Sequence, residues 1–202
     1  MKRKAFLLTA ILLVAISGCV IVSFYPLYTE DDLFPNDLLL GEWMDSDSAV
    51  WAFEFNYNGE HVPENLDSTA YILRIKDEGE EGFSKESFLV HLIKLEDHYF
   101  LNFKLDDYFG KDPDFFDMHL VSVNSFARLK LTDKGAQINW FDLEWLEDLI
   151  EQDPSSIAHE NNGDRILLTA KTPELQRFVL KYANSGAAFE NSLSATLTRI
   201  EK

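Results

Sequence analysis

Histidine, serine, glycine and carboxylate residues often perform the chemistry of proteins, but in this chain they do not fall into the spacings of known active sites. The pair His159-Glu160 lacks the second histidine of a zinc-protease helix, and no serine stands in a Gly-x-Ser-x-Gly turn. The sequence also contains no glycine-rich phosphate loop and no dinucleotide-binding pattern. It therefore predicts a protein that is not an enzyme, with no catalytic residue and no cofactor.

Metal binding has two sets of candidate ligands. The acidic residues from Asp106 to Asp117 could offer oxygens to calcium, but they lack the alternating ligands, the glycine and the distant glutamate of an EF-hand. We predict an exposed acidic loop whose aromatic residues, Tyr108, Phe109, Phe115 and Phe116, tuck into the core. If a group of them is exposed, it marks a contact surface instead. Five scattered histidines could meet only by converging in three dimensions; they are His61, His91, His98, His119 and His159. We predict no metal site.

The first nineteen residues carry the only cysteine of the chain, Cys19. A basic start at residues 2–4 leads to an apolar stretch at residues 5–16, which is shorter than the roughly 20 apolar residues of a membrane-spanning helix. Residues 16–19, Ile-Ser-Gly-Cys, resemble the lipobox of bacterial lipoproteins. The resemblance implies a signal peptide over residues 1–18, cleavage before Cys19, and acyl chains on the Cys19 thiol and the new amino terminus. The alternative is an ordinary secretory signal with a chance cysteine.

Lipid on Cys19 predicts attachment to a bacterial membrane of the cell envelope, with the inner and outer membranes both open, since two or more acyl chains give a lasting anchor. Removing Lys2, Arg3 and Lys4 leaves 15 basic and 35 acidic residues, a formal charge of about −20. Such a charge excludes nucleic acid as a partner and repels anionic head groups. We expect an envelope protein partner, bound by an acidic face turned away from the membrane and released by salt.

Two stretches of the mature chain resemble a family of uncharacterised bacterial envelope lipoproteins. Residues 25–43 read YPLYTEDDLFPNDLLLGEW, and residues 166–183 read ILLTAKTPELQRFVLKYA. The resemblance covers most of the mature chain and implies a shared fold, but that family has no settled activity to carry over. No polar tether follows Cys19, so we expect the domain to lie close to its membrane.

Apolar residues alternate with polar ones along most of the chain, which is typical of half-buried strands. Between residues 50 and 57 the rings of Trp51, Phe53, Phe55 and Tyr57 share one face. Short strands joined by tight turns, such as the hairpin turn at residues 95–99, predict an antiparallel meander. The further predicted strands are residues 71–76, 88–95, 99–105, 118–123, 126–131, 137–140, 155–159, 165–170 and 193–200.

Two helices are predicted in the C-terminal part of the chain. The first covers residues 142–152, and the second begins after Thr172 as its N-cap. The predicted fold is therefore α+β: a curved antiparallel sheet, either an open meander or a partly closed barrel, with two helices near the C-terminus. A single domain spans residues 41–202, preceded by a lipidated N-terminal segment at residues 19–40.

One further motif concerns the sheet. Gly41-Glu42-Trp43 resembles the Gly-x-Trp strand with which lipocalins open their barrels, and Arg199 in the last strand could pack over that indole as in the lipocalin family. Other lipocalin motifs are absent, and two helices precede the last strand, so we predict an ordinary core role for Trp43, with the lipocalin-like packing as the alternative.

These features predict a non-catalytic lipoprotein with an interaction or structural role in the cell envelope. The alternative is a lipocalin-like carrier of an apolar small molecule, and an enzyme comes third. A cavity of roughly 300–1,000 Å³ inside the sheet would favour the carrier, whereas a filled interior would favour the structural role. Histidines and carboxylates that converge in a cleft would favour the enzyme.

Overall fold

The computed structural model describes residues 20–33, 36–56, 67–84, 86–106, 115, 119–132, 135–163 and 165–201. Within them the chain forms eleven strands and two α-helices. The strands are β1 (Val22–Ser23), β2 (Gly41–Met44), β3 (Val50–Asn56), β4 (Asp67–Lys76), β5 (Phe88–Leu95), β6 (His98–Leu105), β7 (Asn124–Thr132), β8 (Gly135–Trp140), β9 (His159–Asn161), β10 (Ile166–Leu168) and β11 (Ser194–Arg199). The helices are α1 (Leu143–Gln152) and α2 (Thr172–Tyr182).

Eight of these strands close into an antiparallel barrel in the order β2-β3-β4-β5-β6-β7-β8-β11. Each strand from β2 to β7 pairs with the next one along the chain, and β11 lies between β8 and β2. The seam between β11 and β2 consists of the pairs Thr198↔Met44 and Arg199↔Trp43. The α+β prediction of a curved antiparallel sheet with two helices near the C-terminus is confirmed, and the sheet takes its closed form.

The residues before β2 pack against this barrel. Strand β1 pairs with the first residues of β7 and, in parallel, with β10, which in turn pairs with β9. Leu27 is completely buried, because the chain crosses the outside of β5 and β6 before it enters β2. Leu39 is also completely buried, but in the inner core beside Trp43 and Phe53. The domain boundary at residue 41 stays a prediction.

The barrel has an apolar core on each side of its wall. The inward positions of the alternating strands fill the interior, with Phe53, Leu101 and Ile138 almost fully buried. Outward positions on β5, β6 and β7, such as Ile93 and Phe126, pack against both helices. The hydrophobic contact with this outer face is what holds α1 and α2 in place.

Three predictions about local structure are wrong. Residues 119–123 form no strand, since no segment among the described residues pairs with them and β7 begins only at Asn124, where β6 and β1 both pair. Residues 155–158 also form no strand, because Ser155 donates from its N–H and hydroxyl to the Asp153 carboxylate at 3.0 and 2.6 Å, which favours a turn. Residue 118 lies outside the described residues, as does Tyr57.

The third error concerns the start of α2. Lys171, and not Thr172, is the N-cap, and its N–H donates to the Glu174 carboxylate at 3.1 Å. The Thr172 hydroxyl instead donates to the Pro26 carbonyl at 2.8 Å. Thr172 therefore ties the helix to the N-terminal segment rather than capping it.

Candidate functional site

The barrel has two different ends. At the end that we call the mouth, β2, β4, β6 and β8 finish and β3, β5, β7 and β11 begin. A pocket of about 280 Å³ lies there, between inward-facing side chains that share an apolar character. Its lining residues are Val20, Trp51, Leu73, Ile75, Phe88, Phe103, Ser125, Trp140 and Leu193.

Aromatic rings form most of the wall of this mouth pocket. The Phe103 ring stacks on Trp140 with 5.3 Å between centroids, and Phe88 meets Phe103 edge to face at 6.5 Å. Ser125 supplies the single side-chain hydroxyl, and no lining residue is charged. Such a pocket can hold an apolar group by hydrophobic contact, and it offers no side chain for acid–base chemistry.

The opposite end, which we call the closed end, is sealed around Trp43. The Arg199 guanidinium lies 4.3 Å from the indole ring and donates to the carbonyl oxygens of Leu40 and Leu38 at 2.6 and 2.8 Å. The Trp43 indole N–H donates to Leu39 at 2.7 Å. The predicted core role of Trp43 is confirmed, and the packing of Arg199 over its ring, which was the alternative, is present as well.

Gly41 allows this closure. Its φ of 108° lies in a region that favours glycine, and a Cβ there would approach the Arg199 guanidinium to 3.2 Å. The Gly-x-Trp pattern therefore has a local cause, because a side chain at residue 41 would be strained and would crowd the arginine.

Tyr71 completes the closed end. Its ring is 1% exposed, and its hydroxyl donates to the Asn36 carbonyl at 2.7 Å, so that the residues before β2 are tied across the barrel. Burial raises the pKa of Tyr71 to about 12.

Sequence reasoning missed one buried charge, Arg128 on the outer face of β7. Its guanidinium donates to the Ala183 carbonyl at the end of α2 and lies 3.7 Å from the Phe189 ring, while its Nε has no hydrogen-bond partner among the described residues. Burial lowers the pKa of Arg128. Outward positions of a strand are usually solvated, so the sequence of β7 gives no sign that Arg128 is buried. Its burial could be predicted only by knowing that a helix covers this position.

The four histidines that the structure describes do not converge. His91 is buried beside the Tyr28 ring at 4.3 Å, and His98 lies 3.3 Å from the Asn184 amide. The Nδ1 atoms of His119 and His159 face backbone carbonyls close to them in sequence. In the part of the chain that the structure describes, no group of three or more His, Cys, Asp or Glu residues could hold a metal ion. His61, Cys19 and most of the acidic loop from Asp106 to Asp117 lie outside that part.

A larger cleft of about 470 Å³ lies on the surface between α2 and the turn after α1. Arg177, Lys181 and Glu174 line it together with Ser156, whose hydroxyl is buried without a partner among the described residues. Charges of both signs line this open cleft, and they define no single ligand chemistry.

Comparisons with protein-family models, curated proteins and solved structures give no match for this chain. The lipobox and the likeness to envelope lipoproteins therefore stay predictions. No α-helix among the described residues is long and apolar enough to cross a membrane. Fold and pocket alone define the class: a closed eight-stranded antiparallel barrel with an apolar pocket at one end and a sealed opposite end.

Proposed function

We propose that this chain is a lipid-anchored protein of the bacterial cell envelope that holds an apolar small molecule in the mouth pocket. The observation that carries the proposal is the contrast between the uncharged pocket of about 280 Å³ at the mouth and the sealed end around Trp43. A barrel with an apolar pocket at one end and a sealed opposite end can take up an apolar ligand at the pocket and shield it from water.

The size of the pocket limits the ligand. The mouth pocket lies below the roughly 300–1,000 Å³ of a typical small-molecule cavity and is open to the surface, so it does not meet the size expected of a carrier that encloses a whole ligand. Deeper in the barrel than the mouth pocket, the interior is filled by side chains such as Phe53 and Leu101. The ligand is therefore small or enters with only one end, as a single hydrocarbon chain would.

Anchoring supports the same proposal. Val20 lines the mouth pocket, and Cys19, the residue that we expect to carry lipid, precedes it directly. A lipid on Cys19 would hold the mouth near the bilayer, where apolar molecules are concentrated.

A second function, a structural or interaction role, is favoured by the well-filled inner core and by exposed aromatic side chains such as Phe115, which is 72% exposed. In that case the mouth pocket is a packing defect. Binding of an apolar probe distinguishes the two functions.

The test uses a neutral probe, N-phenyl-1-naphthylamine, which fluoresces in apolar surroundings. Ser125→Phe should fill the pocket from its wall and abolish most of the probe binding. Ser194→Phe is the matched control, because Ser194 is exposed at the same end of the barrel but is not part of the pocket lining. Equal binding by both variants and the unchanged protein would contradict the carrier function, provided that circular dichroism shows all three folded.

A further inference from the structure

Exposed apolar side chains are concentrated at the mouth. Of ten large hydrophobic residues that are exposed among those described, two, Leu38 and Leu131, lie at the closed end. The other eight belong to segments that enter or leave the mouth: Phe24, Tyr25, Met44, Phe83, Phe115, Leu120, Val121 and Leu193. Isolated exposed hydrophobic residues are common, but such a bias toward one end indicates a contact surface.

The rim of the mouth is also divided by charge. Residues 20–25, 119–124 and 190–194, which border β7, β8 and β11, contain one acidic residue, Glu190. The five aspartates of the β6–β7 connection, at positions 106, 107, 112, 114 and 117, precede residue 119 in the sequence. Residues 77–87, which join β4 to β5 on the other side of the barrel, contain five: Asp77, Glu78, Glu80, Glu81 and Glu86. One side of the rim therefore suits an apolar partner, whereas the other side favours water.

We call the first side the apolar edge and define it by Phe24, Tyr25, Leu120, Val121 and Leu193. These five side chains are 37% to 63% exposed. Pairing brings them together: Ser23 lies opposite Asn124 in the β1–β7 ladder, and the Trp140 N–H donates to the Leu193 carbonyl at 3.0 Å.

The predicted anchor lies at the same place. The described chain begins at Val20, which lines the mouth, and one residue spans only about 3.8 Å between Cα atoms, so acyl chains on Cys19 could not lie far from this rim. Only Val20 and Ile21 lie between Cys19 and β1, so there is no polar spacer that would allow the domain to lie far from the bilayer.

We propose that the apolar edge rests in the interfacial region of the lipid bilayer, with the acidic side of the rim turned to water. The occupant of the surface is the bilayer itself, and the mouth pocket then opens toward acyl chains. The proposal goes beyond the proposed function and rests on its assignment of Cys19 as the anchor. Amphipathic surfaces of this kind bury their apolar side chains about 5–10 Å below the head groups.

The experiment uses the mature, acylated protein in phosphatidylcholine vesicles, which avoid repulsion of the acidic chain by anionic lipid. Once Cys19 is acylated, an added cysteine is the only free thiol and can carry an NBD fluorophore. Leu120→Cys probes the apolar edge, and Leu131→Cys is the matched control, since the two leucines are 44% and 38% exposed at opposite ends of the barrel. Lipids with a nitroxide near the head group should quench most of the fluorescence at residue 120 and little at residue 131.

Equal quenching at the two positions, or none at residue 120, would overturn the proposal. Leu193→Cys repeats the measurement on the apolar edge in case the label at residue 120 disturbs its loop. Mass spectrometry and sedimentation with the vesicles report the anchor independently. An unacylated Cys19 would contradict both the lipid anchor and the placement of the apolar edge in the bilayer. An acylated protein whose label stays in water would contradict only the placement of the apolar edge. Neither result bears on the binding of N-phenyl-1-naphthylamine to the mouth pocket, which tests the carrier function separately.

Discussion

Two tryptophans that face each other across the β2–β3 ladder, Trp43 and Trp51, show how differently the two ends of the barrel are built. Trp43 is 4% exposed and is covered by Arg199. Trp51 is only partly buried; its ring lines the mouth pocket, and its N–H donates to the Asp45 carboxylate at 3.0 Å. Because the two residues are direct partners, they lie at the same level of the wall, and their indole N–H groups differ in what they reach: Leu39 before β2 for Trp43, and Asp45 after β2 for Trp51. One residue type in paired positions can therefore help to close the core on one side and line the pocket on the other.

The largest expected effect tests this contrast directly. Trp43→Ala should lower the free energy of unfolding by about 3–5 kcal/mol, because it removes a fully buried ring and leaves a cavity. Trp51→Ala should lower it by about 1–3 kcal/mol, because part of its surface is already outside the packed core. Urea denaturation followed by circular dichroism measures both values. Equal losses would show that the mouth is packed as tightly as the closed end.

A second effect comes from Tyr71 at the closed end. Both folded and unfolded states keep the Tyr71 proton below pH 10, whereas between pH 10 and about 12 only the unfolded state loses it. Stability should therefore fall as pH rises through this window, by up to about 2–3 kcal/mol from this residue.

Tyr71→Phe is the control for that pH dependence, since other tyrosines titrate in the same range. The variant loses the hydrogen bond to Asn36, so it should be less stable at pH 8, but its stability should fall less steeply above pH 10. Parallel curves for the two proteins would mean that the Tyr71 hydroxyl is open to water in solution.

The smallest effect concerns Arg199. Arg199→Met should lower the free energy of unfolding by about 1–2 kcal/mol, because the side chain is partly exposed but binds two carbonyls and the Trp43 ring. Arg165→Met, at an exposed position between β9 and β10, controls for the loss of one positive charge and should change stability little. Thermal unfolding compares the two variants, and similar melting temperatures would contradict a sealing role for Arg199.

Much of this fold could be predicted because period-two alternation is a local property. Strand β5 has its predicted bounds, and Trp51, Phe53 and Phe55 share the inner face as expected. Closure could not be derived from alternation, since it depends on β11 reaching β2 rather than on either strand alone. The strand predicted wrongly at residues 119–123 has the same cause, because alternation does not say whether a partner is present.

The candidate site was less predictable for physical reasons. Gly41-Glu42-Trp43 with Arg199 indicated the closed end, since that motif has a sequence signature. The mouth pocket has none: Leu73, Phe103 and Trp140 follow the same pattern as inward residues that fill the core, and the pocket exists only where the strands diverge. The burial of Arg128 was not predicted, because the sequence of β7 does not show that α2 packs over this position.

The short seam between β11 and β2 also has a consequence for the order of folding. Its two residue pairs join positions more than 150 residues apart, whereas the other barrel ladders join neighbouring strands along the chain or β11 with β8. Bringing such distant residues together costs conformational entropy, and the contacts of two residue pairs alone do not offset that cost. The cost is lower once the rest of the sheet has formed. We therefore expect the meander to form first as an open curved sheet and the seam with Arg199 to form last.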